Sequence, residues 1–304
     1  MKKSYLVDTL YSDMRIDRWV KTKIAKLPQS LLEKYLRNGK IKLNNKKVKS
    51  SIKVRVNDKI DLYDVLFKEN NIISSRTFRP TKKFLKLNEE LIIEDNDDYI
   101  VINKKSGVSV QGGTKSKKNL IDIFASSEIF KDTKPFTVHR LDKDTSGILI
   151  IAKNRKSAQF FTSLFRLRKV YKTYLAICHG EIQKNKGSWI GPLVRYDKDK
   201  KIIEKAETIY NVIDKNIDST LLKMKPITGR KHQLRKQLYN IKHPIIGDNK
   251  YTFFLNKRSV NKNLMLHAYN IKFKINGIKY TYTAPLPEYF DKMIKSKRLK
   301  FENF

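Results

Sequence analysis

The amino-acid sequence predicts an α+β protein. It indicates a small N-terminal module, residues 14–63, and a larger domain, residues 89–304, with a mixed, largely antiparallel β-sheet flanked by helices. A chain of 304 residues is long enough for one substantial core and a satellite domain. Helix-like and strand-like spacings of apolar residues occur in both parts. Between them, residues 64–88 carry only scattered apolar positions, which is typical of a linker or insertion.

The N-terminal module is predicted to contain two short amphipathic helices followed by short strands. Apolar residues repeat at helical spacing over residues 16–24 and again over residues 31–36. Spaced apolar residues over 41–62 then indicate strands, which are broken at Asn44-Asn45 and Asn57-Asp58.

Several positions in this module resemble those of a known RNA-binding domain. They are Arg15-x-Asp17, Ser30, Arg37-Asn38-Gly39-Lys40-Ile41, Leu43-Asn44 and Asp58-Lys59-Ile60. The pattern is similar to that of the S4 domain, and the resemblance implies that Arg15, Arg37 and Lys40 contact RNA. Asn45 departs from the family, which usually has Gly there, but both residues tolerate a left-handed backbone. A generic small α+β module is the alternative.

The larger domain is predicted to alternate strands and helices. Continuous apolar runs indicate buried strands, and apolar residues three and four apart indicate helices that pack on the sheet. The predicted strands are 91–93, 99–102, 147–153, 171–178 and 220–227, with further strands over 264–287; the predicted helices are 156–168, the segment with Leu234, Leu238 and Ile241, and the basic C-terminus.

The charge of the chain points to a polyanionic partner. Lys and Arg number 66 and Asp and Glu number 30, which gives a formal net charge of +36 spread along the whole chain. Such an excess favours phosphate contacts and salt-sensitive binding. Codon bias of an AT-rich genome would also enrich Lys, so the charge indicates a polyanion without specifying RNA.

Other features exclude whole classes of protein. The single cysteine, Cys178, excludes a disulfide framework and a Cys-rich zinc site, and the five histidines are not spaced like zinc ligands. The sequence lacks a run of ~20 apolar residues, and Asp8 interrupts the N-terminus before a signal peptide could form. We therefore expect a cytoplasmic monomer without a metal or small-molecule cofactor.

Residues 139–147 are the strongest candidate for a chemical function. The segment His-Arg-Leu-Asp-Lys-Asp-Thr-Ser-Gly is densely charged and directly precedes an apolar strand. On the pattern alone, a surface ion pair between Arg140 and Asp144 followed by a turn explains it equally well.

A family resemblance favours the functional interpretation. The segment resembles the signature His-Arg-Leu-Asp-x-x-Thr-Ser-Gly of the RluA/RluC/RluD-type pseudouridine synthases. The similarity extends over most of residues 90–290, and Lys105 departs from it because the family commonly has Pro there. The further motifs are Glu94-Asp95, Asn103-Lys104, Val110-Gln111-Gly112-Gly113, Lys172-x-Tyr174-x-Ala176, Gly229-Arg230-x-His232-Gln233-Leu234-Arg235, His243-Pro244-Ile245-Ile246-Gly247-Asp248, Leu266-His267-Ala268 and Ala284-Pro285-Leu286-Pro287.

The resemblance implies a covalent mechanism on RNA. Asp142 would attack the target uridine at C6 of the base or C1′ of the ribose, so that uracil detaches, turns and rejoins through carbon. Arg235 would form an ion pair with Asp142, and Tyr174 would stack on the base and transfer a proton. On pattern alone, a solvated helix Arg and an ordinary strand Tyr are the alternatives.

The resemblance also implies base flipping and a set of RNA contacts. Arg140 would fill or brace the vacated site and Leu234 would form an apolar floor. Arg230, His232 and Lys172 complete the expected RNA-binding residues of this domain. The implied substrate is large-subunit (23S) ribosomal RNA, because the Val110–Gly113 loop and the S4-like module are more similar to the RluC subgroup than to the RluA subgroup.

Four alternatives are weighed against this interpretation. In the first, the enzyme acts on other rRNA or tRNA uridines. In the second, the chain is a noncatalytic RNA-binding or ribosome-assembly factor. Asp144 is a rival nucleophile, but its motif position varies within the family. An aspartic hydrolase needs two Asp-Thr/Ser-Gly copies that share a proton, and the sequence lacks them.

Overall fold

A computed structural model describes residues 2–25, 27–64, 80–112, 119–197, 200–253 and 263–302. The chain divides into two compact units, Met1–Thr77 and Phe78–Phe304. No helix within the described residues is long and apolar enough to cross a lipid bilayer.

The first unit combines two helices with a three-stranded antiparallel sheet in the order β1-β3-β2. Its core includes Trp19 from the first helix, Leu32 and Leu36 from the second, and Ile60 from the central strand, all buried. The elements are β1 (Lys2–Leu6), α1 (Ile16–Lys23), α2 (Gln29–Arg37), β2 (Ile41–Leu43) and β3 (Lys59–Tyr63).

The structure extends and corrects the predicted N-terminal module. Strand β1 lies before residue 14 and pairs with β3, although its sequence showed no strand pattern because only Tyr5 is partly covered. Between β2 and β3 the chain forms turns with isolated bridges rather than the predicted strands. The predicted turns are confirmed, since Asn44, Asn45 and Asn57 all have positive φ angles.

The second unit is built on a ten-stranded sheet in the order β4-β5-β7-β12-β8-β11-β10-β9, with β6 paired to β7 and β13 to β12. Only the β7–β12 pair is parallel among the pairings in the described residues. The strands are β4 (Ile92–Asp95), β5 (Tyr99–Lys104), β6 (Phe136–Thr137), β7 (Ser146–Ala152), β8 (Tyr171–His179), β9 (Lys186–Asp197), β10 (Lys200–Asn216), β11 (Ser219–Pro226), β12 (Leu266–Ile275) and β13 (Ile278–Thr283).

Helices cover both faces of this sheet. All seven residues of β7 are buried, because Ile148 and Ile150 pack in the cluster that contains the next helix, whereas Leu149 and Ile151 face a separate cluster. Burial on both faces explains the continuous apolar run in the sequence. The helices are α3 (Lys82–Glu89), α4 (Leu120–Phe124), α5 (Arg155–Arg166), α6 (Gln233–Asn240) and α7 (Glu288–Ser296).

Two parts of this unit differ from the sequence prediction. Helix α3 lies inside the segment predicted as a linker, of which residues 65–79 lie outside the described residues. The long strands β9 and β10 were missed, because their outer face carries exposed aliphatic residues such as Ile203 while their inner face carries small or polar ones such as Ala206 and Thr208. The usual alternation of apolar and polar residues is therefore absent.

Gly147 fixes the close approach of β7 and β12. Its φ is +108°, and a Cβ atom would meet the backbone of Ala268, lying 2.6 Å from the nitrogen. The parallel pairing of His267 with Ser146 and of Ala268 with Gly147 requires this separation. Glycine is therefore the residue that allows these strands to meet.

We predict that Gly147→Ala lowers the free energy of unfolding by about 3 kcal/mol, since it combines backbone strain with overpacking. Urea denaturation measures the change. Gly191→Ala is the matched control in a strand, because nothing lies within 4 Å of its added methyl group. Equal stability of the two variants would contradict this account of β7 and β12.

Candidate active site

A loop between β6 and β7 carries Asp142. The side chain of Asp142 is 22% exposed, and the amide of Thr145 donates to its backbone carbonyl at 3.2 Å. The amide of Gly107 donates to the neighbouring carbonyl of Lys143 at 2.9 Å. The loop is thus held by its own backbone and by the turn after β5.

Lys104 supports this loop from inside the protein. Its side chain is fully buried, and Nζ donates to the carbonyls of Lys105, Val108 and Lys143, each at 3.0 Å. Burial lowers the pKa of Lys104 to about 7, against the opposing effects of Asp144 and Asp142. One buried ammonium therefore connects two loops beside the candidate nucleophile.

His139 fastens the start of the same loop to β7. Its Nε2 accepts a hydrogen bond from the amide of Ile150 at 2.9 Å, and its ring stacks on Phe165 at 4.4 Å between centroids. Burial, and then the charge of Lys172, lower the pKa of His139 to about 3, so it is neutral. An accepting Nε2 places the proton of the ring on Nδ1.

The turn before α6 and the first turn of that helix present two nitrogen groups to Asp142. Gln233 anchors the turn before the helix, because its Oε1 accepts from Thr228 Oγ1 at 2.7 Å and from the amide of Arg230 at 3.0 Å. His232 stands directly before the helix with φ 54° and ψ 33°, a left-handed conformation that is uncommon outside glycine. Strain of this kind concentrates at functional sites.

Each carboxylate oxygen of Asp142 faces one nitrogen. His232 Nε2 lies 3.6 Å from Oδ1, and Arg235 Nη1 lies 3.6 Å from Oδ2. The ion pair predicted between Arg235 and Asp142 is therefore present, but it is longer than a direct hydrogen bond. Arg235 makes its bidentate contact with Asp248, from Nε to Oδ2 at 2.7 Å and from Nη2 to Oδ1 at 2.8 Å.

Tyr174 and Leu234 provide the apolar surfaces of the site. Tyr174 lies on β8 opposite Met224 and Ala268, and burial, followed by the charge of Asp142, raises its pKa, so its phenol is protonated. Leu234 is 6% exposed. Both side chains line the same cavity as Asp142, as the sequence analysis expected.

The cavity is strongly cationic. It has a volume of about 1100 Å³, and nine Lys and Arg residues line it, whereas Asp142 is the one acidic residue among its lining residues in the described chain. Asp144, the rival nucleophile, does not line it. Besides the predicted cations, the cavity contains Arg166, Arg168, Lys225, Lys231 and Lys272. Such a site attracts phosphate groups and favours the ionised form of a carboxylate.

The predicted RNA-binding residues of this unit differ in how they are held. Arg140 is exposed at the cavity, and Lys172 lines it with a pKa lowered by burial. Arg230 also lines the cavity, but its Nη1 contacts Glu204 at 3.0 Å. His232, expected as an RNA contact, lines the cavity and lies beside Asp142.

Three predicted RNA contacts lie in the first unit. Arg15 is paired with Asp17, with Nη2 and Oδ2 separated by 2.6 Å. Arg37 is the last residue of α2 and is exposed. Lys40 is exposed and its Nζ donates to the carbonyl of Asp64 at 3.4 Å.

Sequence reasoning missed three residues that shape this site. Asp248 was noted within a motif without a role, Tyr251 was not singled out, and Lys104 was seen only as part of Asn103-Lys104. The side chains of these residues contact segments that are distant in the sequence, so the spacing of residues along the chain could not reveal their roles. A buried acidic residue after Gly247 in an apolar segment was the available signal.

The geometry supports nucleophilic rather than paired acid–base chemistry. A single carboxylate lines the cavity, whereas catalysis by two carboxyl groups requires a second one nearby. The two nitrogens that face Asp142 lie 3.6 Å from its oxygens and leave them available to the cavity, as a nucleophile requires. Within the described residues, no group of three or more His, Cys, Asp or Glu side chains could hold a metal ion.

Comparisons with known proteins agree with these features. The family model described as RNA pseudouridylate synthase matches residues 98–240, which include Asp142, Tyr174 and Arg235. The "Ribosomal large subunit pseudouridine synthase C" of Vibrio vulnificus is 30% identical, and the alignment covers 96% of this chain and 95% of that protein. The protein of the same name from Rickettsia felis is 34% identical, with coverage of 92% and 96%.

The fold is also similar to solved structures. "Human RNA Pseudouridylate Synthase Domain Containing 4" matches with a TM-score of 0.62 and 28% identity, covering 72% of this chain and 97% of that one. "Human RNA Pseudouridylate Synthase Domain Containing 1" matches with a TM-score of 0.56 at 21% identity, which concerns the fold alone.

We predict that Lys104→Met destabilises the chain in a pH-dependent way. The pKa of Lys104 is near 7 when folded and 10.5 in the reference state. The unfolded chain thus binds more protons between these values, so this group stabilises the fold increasingly as pH rises through that window. The stability lost in Lys104→Met should grow by roughly 1–2 kcal/mol between pH 7 and pH 9.

Urea denaturation of both chains at the two pH values measures this difference. Lys105→Met is the control, since Lys105 is exposed and its change should be within about 0.5 kcal/mol at either pH. A stability loss in Lys104→Met that does not vary with pH would contradict the lowered pKa of Lys104.

Proposed function

The chain belongs to the RNA pseudouridylate synthase family, and we propose that it converts specific uridines in large-subunit (23S) ribosomal RNA to pseudouridine by base flipping and an Asp142 nucleophile. The observation that carries the proposal is the position of Asp142 as the single carboxylate lining a cationic cavity, with one nitrogen facing each of its oxygens. The names of these relatives support the choice of large-subunit RNA.

Asp142 forms the transient covalent bond in this proposal. Its carboxylate attacks either C1′ of the ribose, which breaks the bond to N1 of uracil, or C6 of the base. In the C6 route, the bond between N1 and C1′ breaks after this addition. The uracil then turns and C5 bonds to C1′. The C5 proton leaves, N1 gains a proton, and the bond to Asp142 breaks with its electron pair returning to the carboxylate. The reaction is an isomerisation, so no oxidant, reductant or cofactor enters its balance.

Tyr174 and Leu234 hold the flipped base. An aromatic ring provides a stacking surface for any base, and an apolar floor excludes water from it. The raised pKa of Tyr174 keeps the phenol protonated before the reaction, so Tyr174 enters as a stacking residue and takes part in proton transfer by donating its own proton. These roles depend on the uridine leaving the RNA stack, because C5 and C1′ are otherwise out of reach.

The cations at the cavity hold the RNA backbone and the vacated position. Arg140 is exposed beside Asp142 and is proposed to brace the gap left by the base. Lys172 and Arg230 are proposed to contact the RNA, together with His232 at the deep end of the cavity. Arg230 Nη1 pairs with Glu204 and its Nε donates to the carbonyl of Lys205, which orients the guanidinium and leaves Nη2 for a phosphate.

We assign residues 14–63 to an S4-like RNA-binding module, residues 64–88 to the connection and residues 89–304 to catalysis. Two helices packed on a small sheet in the first unit, with Arg15, Arg37 and Lys40 on its surface, support the first assignment. In this proposal the chain acts as a monomer in the cytoplasm, without cofactor. Uridines of other rRNA or of tRNA are the alternative substrates.

We predict that Asp142→Asn abolishes pseudouridine formation, to below about 10⁻³ of the wild-type rate, since an amide is not a nucleophile of this kind. RNA affinity should stay within about threefold, because the cationic residues remain. Nucleoside analysis after incubation with ribosomal RNA measures the product. Asp144→Asn is the matched control and should retain activity; normal product from Asp142→Asn would remove Asp142 from the mechanism.

Mapping of pseudouridines in cells that lack this gene tests the substrate. Chemical labelling followed by primer extension reports each modified position in ribosomal and transfer RNA. Loss at large-subunit sites, restored by the wild-type gene but not by Asp142→Asn, supports the proposal. Loss only in transfer RNA would overturn the large-subunit assignment.

We predict that replacing both Arg37 and Lys40 with Ala weakens RNA binding about tenfold or more and reduces the salt dependence by roughly two phosphate contacts, as loss of backbone contacts should. Filter binding over a range of salt concentrations measures both quantities. Replacing Lys292 and Lys295 of α7 with Ala removes the same charge elsewhere on the surface. Similar losses in both double variants would argue against a specific role for the first unit.

A further inference from the structure

Asp248 is a buried carboxylate whose acceptor sites are all directed at the active site or its supporting loop. Its side chain is fully buried. Oδ2 accepts from Arg235 Nε at 2.7 Å, and Oδ1 accepts from Arg235 Nη2 at 2.8 Å and from the amides of Lys250 and Tyr251 at 2.9 Å each. Because Asp248 is fully buried and all four of these donors belong to the protein, its role is to position other groups rather than to bind substrate.

The contact with Asp248 determines the direction of Arg235. A guanidinium is planar and rigid, so fixing Nε and Nη2 also fixes the third nitrogen. That nitrogen, Nη1, is the one 3.6 Å from Asp142 Oδ2. Burial lowers the pKa of Arg235. The hydrogen bond and charge of Asp248, followed by the charges of Asp142 and Asp144, outweigh this effect and raise the pKa. Arg235 is thus a permanent cation whose position Asp248 sets.

Tyr251 holds His232, the second residue that faces Asp142, as Asp248 holds Arg235. Its hydroxyl lies 2.9 Å from His232 Nδ1, and the opposite ring nitrogen, Nε2, lies 3.6 Å from Asp142 Oδ1. The ring of Tyr251 also lies under the guanidinium of Arg235, with 5.2 Å from Cζ to the centroid. One tyrosine therefore contacts both groups that face Asp142.

The surroundings specify which nitrogen of His232 carries the proton. Burial lowers the pKa of His232, with Arg235, Lys250 and Lys231 acting in the same direction and Asp142 opposing them, so the ring is neutral near pH 7. Burial also raises the pKa of Tyr251. The charge of Arg235 lowers this pKa, whereas the charges of Asp248 and Asp142 raise it further. A protonated phenol donates to Nδ1, and the N–H is then on Nε2, where it faces the carboxylate instead of opposing it with a lone pair.

We propose that residues 248–251 form a positioning segment for the nucleophile, in which Asp248 orients Arg235 and Tyr251 orients His232, so that each oxygen of Asp142 faces one fixed N–H. This inference rests on the proposed function and adds His232, Asp248 and Tyr251 to it. The segment lies more than 100 positions after Asp142 in the sequence. Both nitrogens lie 3.6 Å from the oxygens of Asp142, so they orient the carboxylate without occupying its oxygens in a short ion pair.

Steady-state kinetics of a double-mutant set tests the role of Tyr251. Tyr251→Phe keeps the ring under Arg235 and removes only the hydroxyl. We expect kcat for pseudouridine formation to fall about tenfold, as for the loss of one orienting hydrogen bond, with KM for RNA changed less than about twofold. In a His232→Asn background, Tyr251→Phe should have no further effect, because the hydroxyl acts through His232.

Two further variants complete the design. Tyr239→Phe removes a hydroxyl from a ring on α6 that stacks on Phe253 and does not line the cavity, and it should leave kcat within about twofold. Asp248→Asn should lower kcat about a hundredfold, as for the loss of a buried charged partner. If Asp248→Asn fails to fold, the Tyr251 and His232 set still decides the question.

Nitrogen-15 NMR of histidine-labelled protein measures the tautomer directly, with His232→Asn identifying the signal. We expect neutral His232 with the proton on Nε2, and exchange broadening of that proton in Tyr251→Phe. A proton on Nδ1 in the wild-type protein would overturn the inference, as would equal effects of Tyr251→Phe in the wild-type and His232→Asn backgrounds. Failure of the wild-type chain to form pseudouridine would contradict the proposed function instead, since the tautomer is measured without turnover.

Discussion

The proposed reaction requires an ionised carboxylate to react inside a partly closed cavity, and this requirement places the strongest constraint on the protein. Desolvation favours the neutral form of a carboxylic acid in general, and a neutral acid is a poor nucleophile. A short ion pair would restore the charge but would also occupy the reactive oxygens. The structure surrounds Asp142 with nine Lys and Arg residues that line the cavity, while the two nitrogens that face its oxygens stay 3.6 Å away, so the oxygens remain available.

The rest of the second unit can be understood as support for this arrangement. The parallel contact of β7 with β12, allowed by Gly147, brings the loop of Asp142 to β8, where Tyr174 lies. Lys104 ties that loop to the turn after β5, and Gln233 ties the turn before α6 to β10. Each connection joins segments that are distant in sequence, which makes the site a product of the whole sheet.

The sequence predicted some of these features well because they depend on local chemistry or on long motifs. The apolar run of β7, residues 147–152, is buried on both faces, and the family motifs placed Asp142, Tyr174, Leu234 and Arg235 around one cavity. It failed where tertiary contacts decide the outcome. Strands β9 and β10 lack a clear alternation, α3 lies in a segment with weak periodicity, and the partner of Arg235 is an aspartate 13 positions away that spacing does not indicate.

A crystal structure of the Asp142→Asn chain with a uridine-containing fragment of large-subunit RNA tests the central claim most directly. The account predicts one uridine turned out of the RNA stack, with its base on Tyr174 and its C6 or C1′ within about 3.5 Å of the side chain at position 142, the distance of a productive approach. A uridine bound elsewhere in the cavity, or one closer to Asp144 than to position 142, would contradict it.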